Sequence, residues 1–535
     1  MMANDGGPKR SSDALASDSD NFLLKKWNWQ KWRSTLHWRA HCLLPGVIPN
    51  PYSTHEDSMY LRDAESNAES RVDADSELRC LMAWGVELYG PDEIHQLYDG
   101  LTKLRWSRVG STDPENSAVN RVRQMRASSA GSWLNIGRVR RLGEDKPSLT
   151  QYNFAKLPHG IESLTVGVYQ LTSSTTALVI GFRLDAHLAC RYEVELNKDR
   201  RTVKRRVPGA WAVEWRNPVI QKSDAVHRSR RELRATLGRW FAGHMPGYFC
   251  NTHAHAHFPT MELITAKGLA LNESSGPGRK LRDWRRLLTY VGSHDAWVTK
   301  KYPGLQIAFD RPLDGDNGLH VLVTLDPSLF PAEAVKHYGA RAPDSYAWLC
   351  DELLSGTLAR AATMEYLKSQ SRSLNDVRER MRRARSDRGS VSATLAEIGS
   401  FFDRSMGSPA INRELARQSK ESHWFDHDCA DFHSSPLRKE DAPVSLPRAV
   451  QREVSTLSEQ ITEDEVALRG QIEQLANIMS IRESIRSQRW SFTVTLVALL
   501  VAIASLVVAI PAQSPVGKML RTIADYAVAV YQSWM

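Results

Sequence analysis

The sequence lacks the short motifs that identify the common catalytic and nucleotide-binding sites. It contains no GxSxG, no GxxxxGKS or GxxxxGKT and no GxGxxG, so it offers no nucleophile elbow, P-loop or dinucleotide-binding turn. The segment 274–280 (SSGPGRK) has the composition of a phosphate loop, but Pro277 removes one of the amides that such a loop uses. The residues therefore give no direct indication of an enzyme.

Cysteine is sparse, and the beginning of the chain has no hydrophobic run. The six cysteines are scattered singly with no CxxC pair, which favours reduced thiols and a cytosolic compartment. Residues 1–21 are rich in Ser, Asp and Gly and do not form the apolar core of a secretory signal. We therefore expect the bulk of the chain to lie in the cytoplasm.

Long hydrophobic runs are also rare, which makes the stretch 490–510 conspicuous. Its 21 residues carry no charge and are mostly Leu, Val, Ile and Ala, and as a helix they extend roughly 30 Å, the thickness of a bilayer core. The following Ser514-Pro515 pair predicts a new helix start. Apolar residues then recur at helical spacing between charges, so this tail should lie in the membrane interface. We expect a single-pass membrane protein with the lipid bilayer as a partner.

The fold class predicted is an α+β cytoplasmic domain with a largely antiparallel sheet, then an all-α region, a long stalk helix and one C-terminal transmembrane helix. The segments are a disordered N-terminus (1–21), a basic Trp-rich amphipathic helix (22–44), the α+β domain (45–345), a helical region (346–433), a linker (434–447), a stalk or coiled-coil helix (448–489), the transmembrane helix (490–510) and an amphipathic interfacial tail (511–535).

Strand predictions rest on β-branched runs in the middle of the chain. Residues 163–172 and 177–184 are such runs, separated by a short polar turn, and predict an antiparallel hairpin. Residues 190–196 (CRYEVEL) alternate and predict a third strand. Two more strands are expected at 305–310 and 319–325, with a Gly- and Asp-rich turn between them.

The stalk has a broken apolar stripe. Val450, Val454, Leu457 and Ile461 keep heptad spacing, and so do Leu468, Ile472, Leu475 and Met479. The stripe needs a cover, which is either the same stripe in another subunit or the preceding helices, and we expect a homo-oligomer through the stalk. This order of α/β domain, stalk and C-terminal span resembles the layout of CorA-type divalent-cation transporters, which implies ion transport as an alternative. Their Gly-Met-Asn loop motif and second span are absent here.

Two histidine-rich stretches are candidate metal sites. His253, His255 and His257 share one face if they form a strand, and imidazoles bind zinc. His423 and His427 share a helix face at i, i+4, where Cys429 or His433 could complete a tetrahedral site. Polar loops, or for the second stretch a polar helix end, are the more common explanation of such stretches. A divalent metal such as zinc is thus the only cofactor that the residues suggest, and a metal-dependent enzyme using the first stretch is a further alternative.

The chain is moderately basic, with a formal net charge of +9 and an isoelectric point near 9.2. Basic residues cluster at 22–44, at 200–206, at 378–388 and along a helix predicted at 224–241, where they should form a solvated face. The first cluster either lies on an anionic membrane or packs on the protein core. Nucleic acid is not the expected partner. The function predicted is that of a membrane-anchored, self-associating cytoplasmic sensor, scaffold or effector.

Overall fold

The computed structural model describes the following residues: 32–33, 36–41, 43–44, 46–49, 57, 60–106, 117–128, 131–143, 153–206, 213–252, 258–271, 282–289, 296–310, 318–338, 342–386, 399, 408–421, 429–435, 442–509 and 514–534. The chain divides into two compact units. The first consists of Met1–Ser369 and Ala410–Glu459, and the second of Gln370–Pro409 and Gln460–Met535.

Twelve strands are present among the described residues, all in the first unit: β1 Arg79–Tyr89, β2 Trp133–Arg141, β3 Asn153–Ala155, β4 Ile161–Gln170, β5 Thr176–Leu184, β6 Val203–Arg206, β7 Val213–Arg216, β8 Thr260–Thr265, β9 Ala296–Val298, β10 Leu305–Asp310, β11 His320–Leu325 and β12 His433–Ser435. Ten of these described strands form one sheet in the order β12-β9-β10-β11-β8-β1-β5-β4-β2-β3, and β6 and β7 form a separate ribbon.

The described helices are α1 Asp63–Glu69, α2 Ile94–Leu104, α3 Ala118–Ser128, α4 Ala186–Ala189, α5 Arg191–Asn197, α6 Pro218–His244, α7 Tyr248–Thr252, α8 Trp284–Leu288, α9 Ala332–Val335, α10 Ala342–Ser386, α11 Ser408–Gln418, α12 Leu446–Ala509 and α13 Pro515–Trp534. A short 3₁₀ turn, Lys336–Tyr338, lies between α9 and α10.

The sheet is mixed. The predicted hairpin is confirmed as β4 and β5, and the two later strands are confirmed as the antiparallel pair β10 and β11. Parallel pairing occurs between β8 and β11 and between β2 and β3. The antiparallel prediction therefore holds for most of the pairings between described strands, but not for these two.

The central strand, β1, was not among the predictions. It pairs with β5 on one side and β8 on the other. The indole of Trp84 reaches α10, where its Nε1 donates to Asp351 Oδ1 at 2.6 Å. Its neighbour Gly85 lies on the opposite side, against the rings of Phe241 and Phe258. A strand covered on both faces has an almost continuous apolar sequence, so it lacks the alternation that marks a strand.

The third strand predicted at 190–196 is wrong, because these residues form α5. Tyr192 and Leu196 are spaced i, i+4 and are both fully buried, whereas Val194 between them is half exposed. The same apolar positions fit a two-residue and a four-residue period. Burial of one side of the segment favours the helix.

The basic helix is longer than predicted. It begins at Pro218, after an N-cap in which Asn217 Oδ1 accepts the Ile220 amide at 2.9 Å. Arg230 and Arg234 are only 6% and 7% exposed, so the prediction of a wholly solvated basic face is wrong for these two residues.

The region after residue 347 is not purely helical, because β12 adds to the sheet beside β9. The described ends of the expected linker are joined: the Ser434 amide donates to the Val444 carbonyl at 2.8 Å, and Leu446 is fully buried. Within the predicted helical region 346–433, residues 387–407 lie outside the described residues except for residue 399.

The stalk corresponds to α12, a helix of 64 residues. Most of its apolar stripe is buried between Leu446 and Ile472, and Leu457 is half-buried. In the first unit Lys368 lies 3.4 Å from Glu453 of α12, and in the second unit Arg378 pairs with Asp464 at 2.8 Å. The preceding helix α10 thus flanks this part of the stalk. The sequence predicts two possible covers for the apolar stripe, another subunit or the preceding helices, and this contact corresponds to the second.

One helical segment among the described residues is long and apolar enough to span a membrane. It is Ser484–Ser505, with a mean hydropathy of 1.4 and no part buried. Helix α13 follows, and its predicted start is confirmed, since Ser514 Oγ accepts the Gly517 amide at 3.0 Å.

Candidate functional site

The structure does not bring the histidine-rich stretches into a described site. His253, His255, His257, His423 and His427 lie outside the described residues. Cys429 is buried and its Sγ lies 3.4 Å from the Leu353 carbonyl, while His433 is an exposed residue of β12. Within the described part of the chain, no group of three or more potential metal ligands occurs.

A cavity in the first unit is the strongest candidate site instead. It lies between helix α10 and strands β2 and β4 and has a volume of about 720 Å³, within the range of ligand pockets. Aromatic, basic and acidic side chains all face it. The lining consists of Gly131, Ser132, Trp133, Asn135, Gly137, Arg138, Thr165, Val166, Gly167, Tyr169, Gln170, Leu171, Tyr338, Trp348, Asp351, Glu352, Ser355 and Arg360.

A β-bulge in β2 directs its side chains to this cavity. The register with β4 shifts between Asn135 and Gly137. Gly137 has φ 100°, a conformation that favours glycine, and its amide donates to Asn135 Oδ1 at 2.8 Å. Side chains two residues apart on a strand normally point to the same face. At the bulge this spacing is three residues, so Trp133, Asn135 and Arg138 all line the cavity. Bulges often occur beside functional sites for this reason.

Helix α10 supplies the opposite wall. Trp348, Asp351, Glu352 and Ser355 are spaced i, i+3, i+4 and i+7, which places them on one side of the helix. The guanidinium of Arg138 lies 5.0 Å from the centre of the Trp348 ring, a cation–π contact across the cavity. At the mouth, Trp133 and Tyr169 are direct cross-strand neighbours, and the Trp133 side chain is 68% exposed.

The two carboxyl groups have different surroundings. Asp351 Oδ1 accepts from Trp84 Nε1 and, at 2.9 Å, from Ser355 Oγ. Burial raises the pKa of Asp351 despite these bonds. Glu352 is more exposed and accepts from the hydroxyl of Tyr338. Burial, followed by this carboxylate, raises the pKa of Tyr338 well above its usual value.

Space for the Trp84–Asp351 bond comes from a glycine in the next strand. Trp84, Gly181, Thr165 and Arg138 follow one another across β1, β5, β4 and β2. A Cβ at Gly181 would lie 2.1 Å from Met82 Cε and 2.8 Å from Trp84 Nε1. The missing side chain therefore lets the indole lie flat on the sheet and reach α10.

The cavity thus combines two guanidinium groups, two carboxyl groups and four aromatic rings. Such a site is suited to reversible binding of a polar organic molecule, with the rings covering its faces and the charged groups fixing its orientation. A ligand with charge of one sign would meet repulsion from one of the two sets of charged residues.

A second polar cluster lies on the other face of the sheet and is structural. Glu262 of β8 accepts from Arg230 Nε at 2.6 Å and from the Tyr192 hydroxyl. Burial alone would raise the pKa of Glu262, but Arg230, His320 and Tyr192 outweigh it and hold the pKa well below its usual range. Glu262 thus pairs with Arg230 and Tyr192 inside the core, and His320 Nε2 lies 3.6 Å from Glu262 Oε1.

The cavity has only a weak signature in the sequence. Its residues come from 131–171, 338 and 348–360, so no short motif contains them. The unusual Gly-Arg pair at 137–138 within a run of β residues indicates a bulge, which was the one local signal available. In comparisons with family models, with curated proteins and with solved structures, nothing matches this chain.

Proposed function

We propose that the protein is a membrane-anchored cytoplasmic sensor or effector that binds a small polar ligand in the cavity between α10, β2 and β4. The cavity is the observation that carries the proposal, because charged, aromatic and hydrogen-bonding side chains converge there without filling the space. The segment Ser484–Ser505, apolar and fully exposed within the single chain, supports the anchor.

The path of α10 supports coupling between ligand and anchor. This helix contributes Trp348, Asp351 and Ser355 to the cavity of the first unit. The same helix contributes Arg378 to the second unit, where it contacts both the carboxylate and the carbonyl of Asp464 in α12. Because α12 continues into the proposed span, a ligand that shifts α10 has a continuous helical route to the membrane.

Retention of a ligand by the purified protein tests this function. The full chain is purified in detergent, denatured, and the small molecules released are compared by mass spectrometry between the wild type and Trp348→Ala. We expect a compound that is retained by the wild type and lost from the variant. Leu329→Ala, a change at a side chain 60% exposed away from the cavity lining, should retain it.

Unchanged thermal unfolding of both variants is required, since it shows that the loss comes from the cavity. If the wild type and Trp348→Ala release the same compounds, and no polar compound added to the wild type raises its unfolding temperature, the ligand-binding proposal is wrong. Binding should raise that temperature because a ligand that prefers the native state stabilises it.

Self-association through the stalk is a further part of the proposal. Beyond the buried stripe of α12, Ile478, Ile481 and Ile485 are exposed by 49%, 59% and 46%. Their spacing of three and four residues presents one apolar side next to the proposed span. A second copy of the same helix would cover that side.

Transport and metal-dependent catalysis remain alternatives without a supporting observation among the described residues. The three histidines that a metal enzyme would use lie outside them. Metal analysis of the purified full chain is the check: stoichiometric zinc that disappears in His253→Ala and His255→Ala would revive the metal hypothesis. Cation flux into liposomes would do the same for transport.

A further inference from the structure

Two carboxyl groups line the cavity without a basic partner. Asp351 and Glu352 are adjacent residues of α10. Asp351 accepts from Trp84 and from Ser355 through the same oxygen, Oδ1. Glu352 accepts from the Tyr338 hydroxyl. Within the described part of the chain, neither carboxyl group forms an ion pair with Lys, Arg or His. A bound ligand is therefore the group suited to balance their charge.

The surroundings of Asp351 make its negative charge costly. Burial raises the pKa of Asp351, although its hydrogen bonds act in the opposite direction. The neighbouring carboxyl group of Glu352 raises this pKa further. A positively charged group of a ligand would offset part of that cost, because an opposite charge a few Å away stabilises an ionised carboxyl group. This corner of the cavity is thus suited to a cation.

The two arginine residues of the lining limit the net charge of the ligand. Arg138 donates to Ser163 Oγ at 3.2 Å and lies 5.0 Å from the centre of the Trp348 ring. Arg360 lines the same cavity. A ligand that carries only positive charge would be repelled by these guanidinium groups. An acidic group elsewhere on the ligand would offset that repulsion, since guanidinium groups bind carboxylates well.

Aromatic rings in the lining favour an organic cation over a metal ion. Trp133 and Tyr169 are cross-strand neighbours at the mouth, and Trp348 lies on the opposite wall. Ammonium groups are attracted to the faces of such rings, and the rings also cover the flat body of a ligand. A metal ion needs several oxygen ligands, and no group of three or more potential metal ligands occurs among the described residues.

We propose that the cavity binds a zwitterionic amino compound, an amino acid with an aromatic side chain. Its ammonium group pairs with the carboxyl groups of Asp351 and Glu352. Its acidic group lies on the arginine side of the cavity, and its ring lies against Trp133 and Tyr169 at the mouth. This assignment rests on the proposed function, because it identifies the chemical class of the ligand in the same cavity.

Isothermal titration calorimetry of the full chain in detergent tests the ligand class. The probes are phenylalanine and tryptophan, each compared with its deamino analogue, 3-phenylpropionate or indole-3-propionate. The members of each pair differ only in the ammonium group. We expect at least one of the amino acids to bind the wild type. Its deamino analogue should bind at least roughly tenfold more weakly, which is the loss expected for a hydrogen bond between charged groups.

Two variants make the test specific. Asp351→Asn should lose the preference for the amino acid over its deamino analogue, while the Asn side chain keeps an oxygen that can accept from Trp84 and Ser355. The matched control is Asp376→Asn, a change at an exposed residue of the same helix outside the cavity lining, and it should behave as the wild type. The comparison of the two probes on the wild type depends on neither variant.

Equally tight binding of an amino acid and its deamino analogue would overturn the assignment. So would a preference for the amino acid that persists in Asp351→Asn, or the absence of binding by both amino acids. The proposed function is judged separately, by the compound that the wild type retains and Trp348→Ala loses. If that compound has no amino group, the ligand-binding function stands and this ligand class is wrong.

Discussion

Glu87 should make the stability of the first unit depend on pH. Its side chain is fully buried in β1, where it accepts the amides of Phe249 and Cys250 at 2.7 Å and 3.0 Å, at the beginning of α7. Burial raises the pKa of Glu87 from 4.5 to about 7, although these hydrogen bonds act in the opposite direction. The native state thus holds a proton that the unfolded chain releases at lower pH.

The sign and size of the effect follow by linkage. Between pH 4.5 and pH 7 the native state binds more protons than the unfolded state, so the free energy of unfolding falls as the pH rises. The full change corresponds to about 3 kcal/mol at 1.36 kcal/mol per pKa unit. Below pH 4.5 both states are protonated and the contribution of Glu87 no longer varies. Glu87→Gln cannot ionise and should lose this dependence.

The assay is denaturant unfolding of the full chain in detergent, followed by tryptophan fluorescence, at pH 5 and at pH 8. From pH 5 to pH 8 the free energy of unfolding of the wild type should fall by about 2–3 kcal/mol relative to that of Glu87→Gln. Glu77→Gln, a change at a side chain 70% exposed, serves as the control and should run parallel to the wild type. A difference between wild type and Glu87→Gln that is the same at both pH values would refute the reasoning.

Three other substitutions test different parts of the structure. Glu262→Gln leaves Arg230 buried without its counter-charge and should destabilise the first unit by about 3–5 kcal/mol, seen as a lower thermal midpoint; a loss below 1 kcal/mol would mean that the cluster is solvated. Gly181→Ala places a Cβ 2.1 Å from Met82 Cε and should cost about 1–3 kcal/mol through overpacking; wild-type stability would contradict the geometry of the Trp84–Asp351 contact. Ile481→Cys should form an intermolecular disulfide under mild oxidation of the full chain in nanodiscs, and a strict monomer would remove the self-association proposal.

The parts of the fold that the sequence predicts are those with a clean period. Strands β4, β5, β10 and β11 each alternate or carry β-branched runs between turn residues, and all four are present. Helix α12 and the start of α13 at Ser514 are recognisable by helical spacing and by a capping residue.

The errors have different physical causes, and for β1 the cause is that burial on both sides removes the period. Strand β1 lies under α10 on one face and α6 on the other, as the contacts of Trp84 and Gly85 show. Its sequence therefore has neither the helical nor the strand period. The apolar positions of α5 fit both periods. The local sequence of Arg230 predicts a solvated face, because its partner Glu262 lies 32 residues later in the chain.

The candidate site is less predictable than the fold. Arg138, Tyr169 and Trp348 come from three elements, and only the register of β2 against β4 and the path of α10 bring them to one cavity. Similarly, nothing in the local sequence links Trp38 to Lys204, whose ammonium group lies 3.3 Å from the centre of the Trp38 ring. The sequence predicts basic clusters at 22–44 and at 200–206, but not this contact between them.

The most direct test of the account is alkaline extraction of membranes from cells that express the full chain. If Ser484–Ser505 anchors the protein, we expect the wild type to stay in the membrane pellet. Val497→Arg combined with Leu500→Arg should release the protein, since each arginine at the centre of a span costs about 2.5–3.5 kcal/mol. Release of the wild-type protein into the soluble fraction would contradict the membrane anchor. It would also contradict the proposal that ligand binding in the cavity is coupled to a membrane-spanning helix.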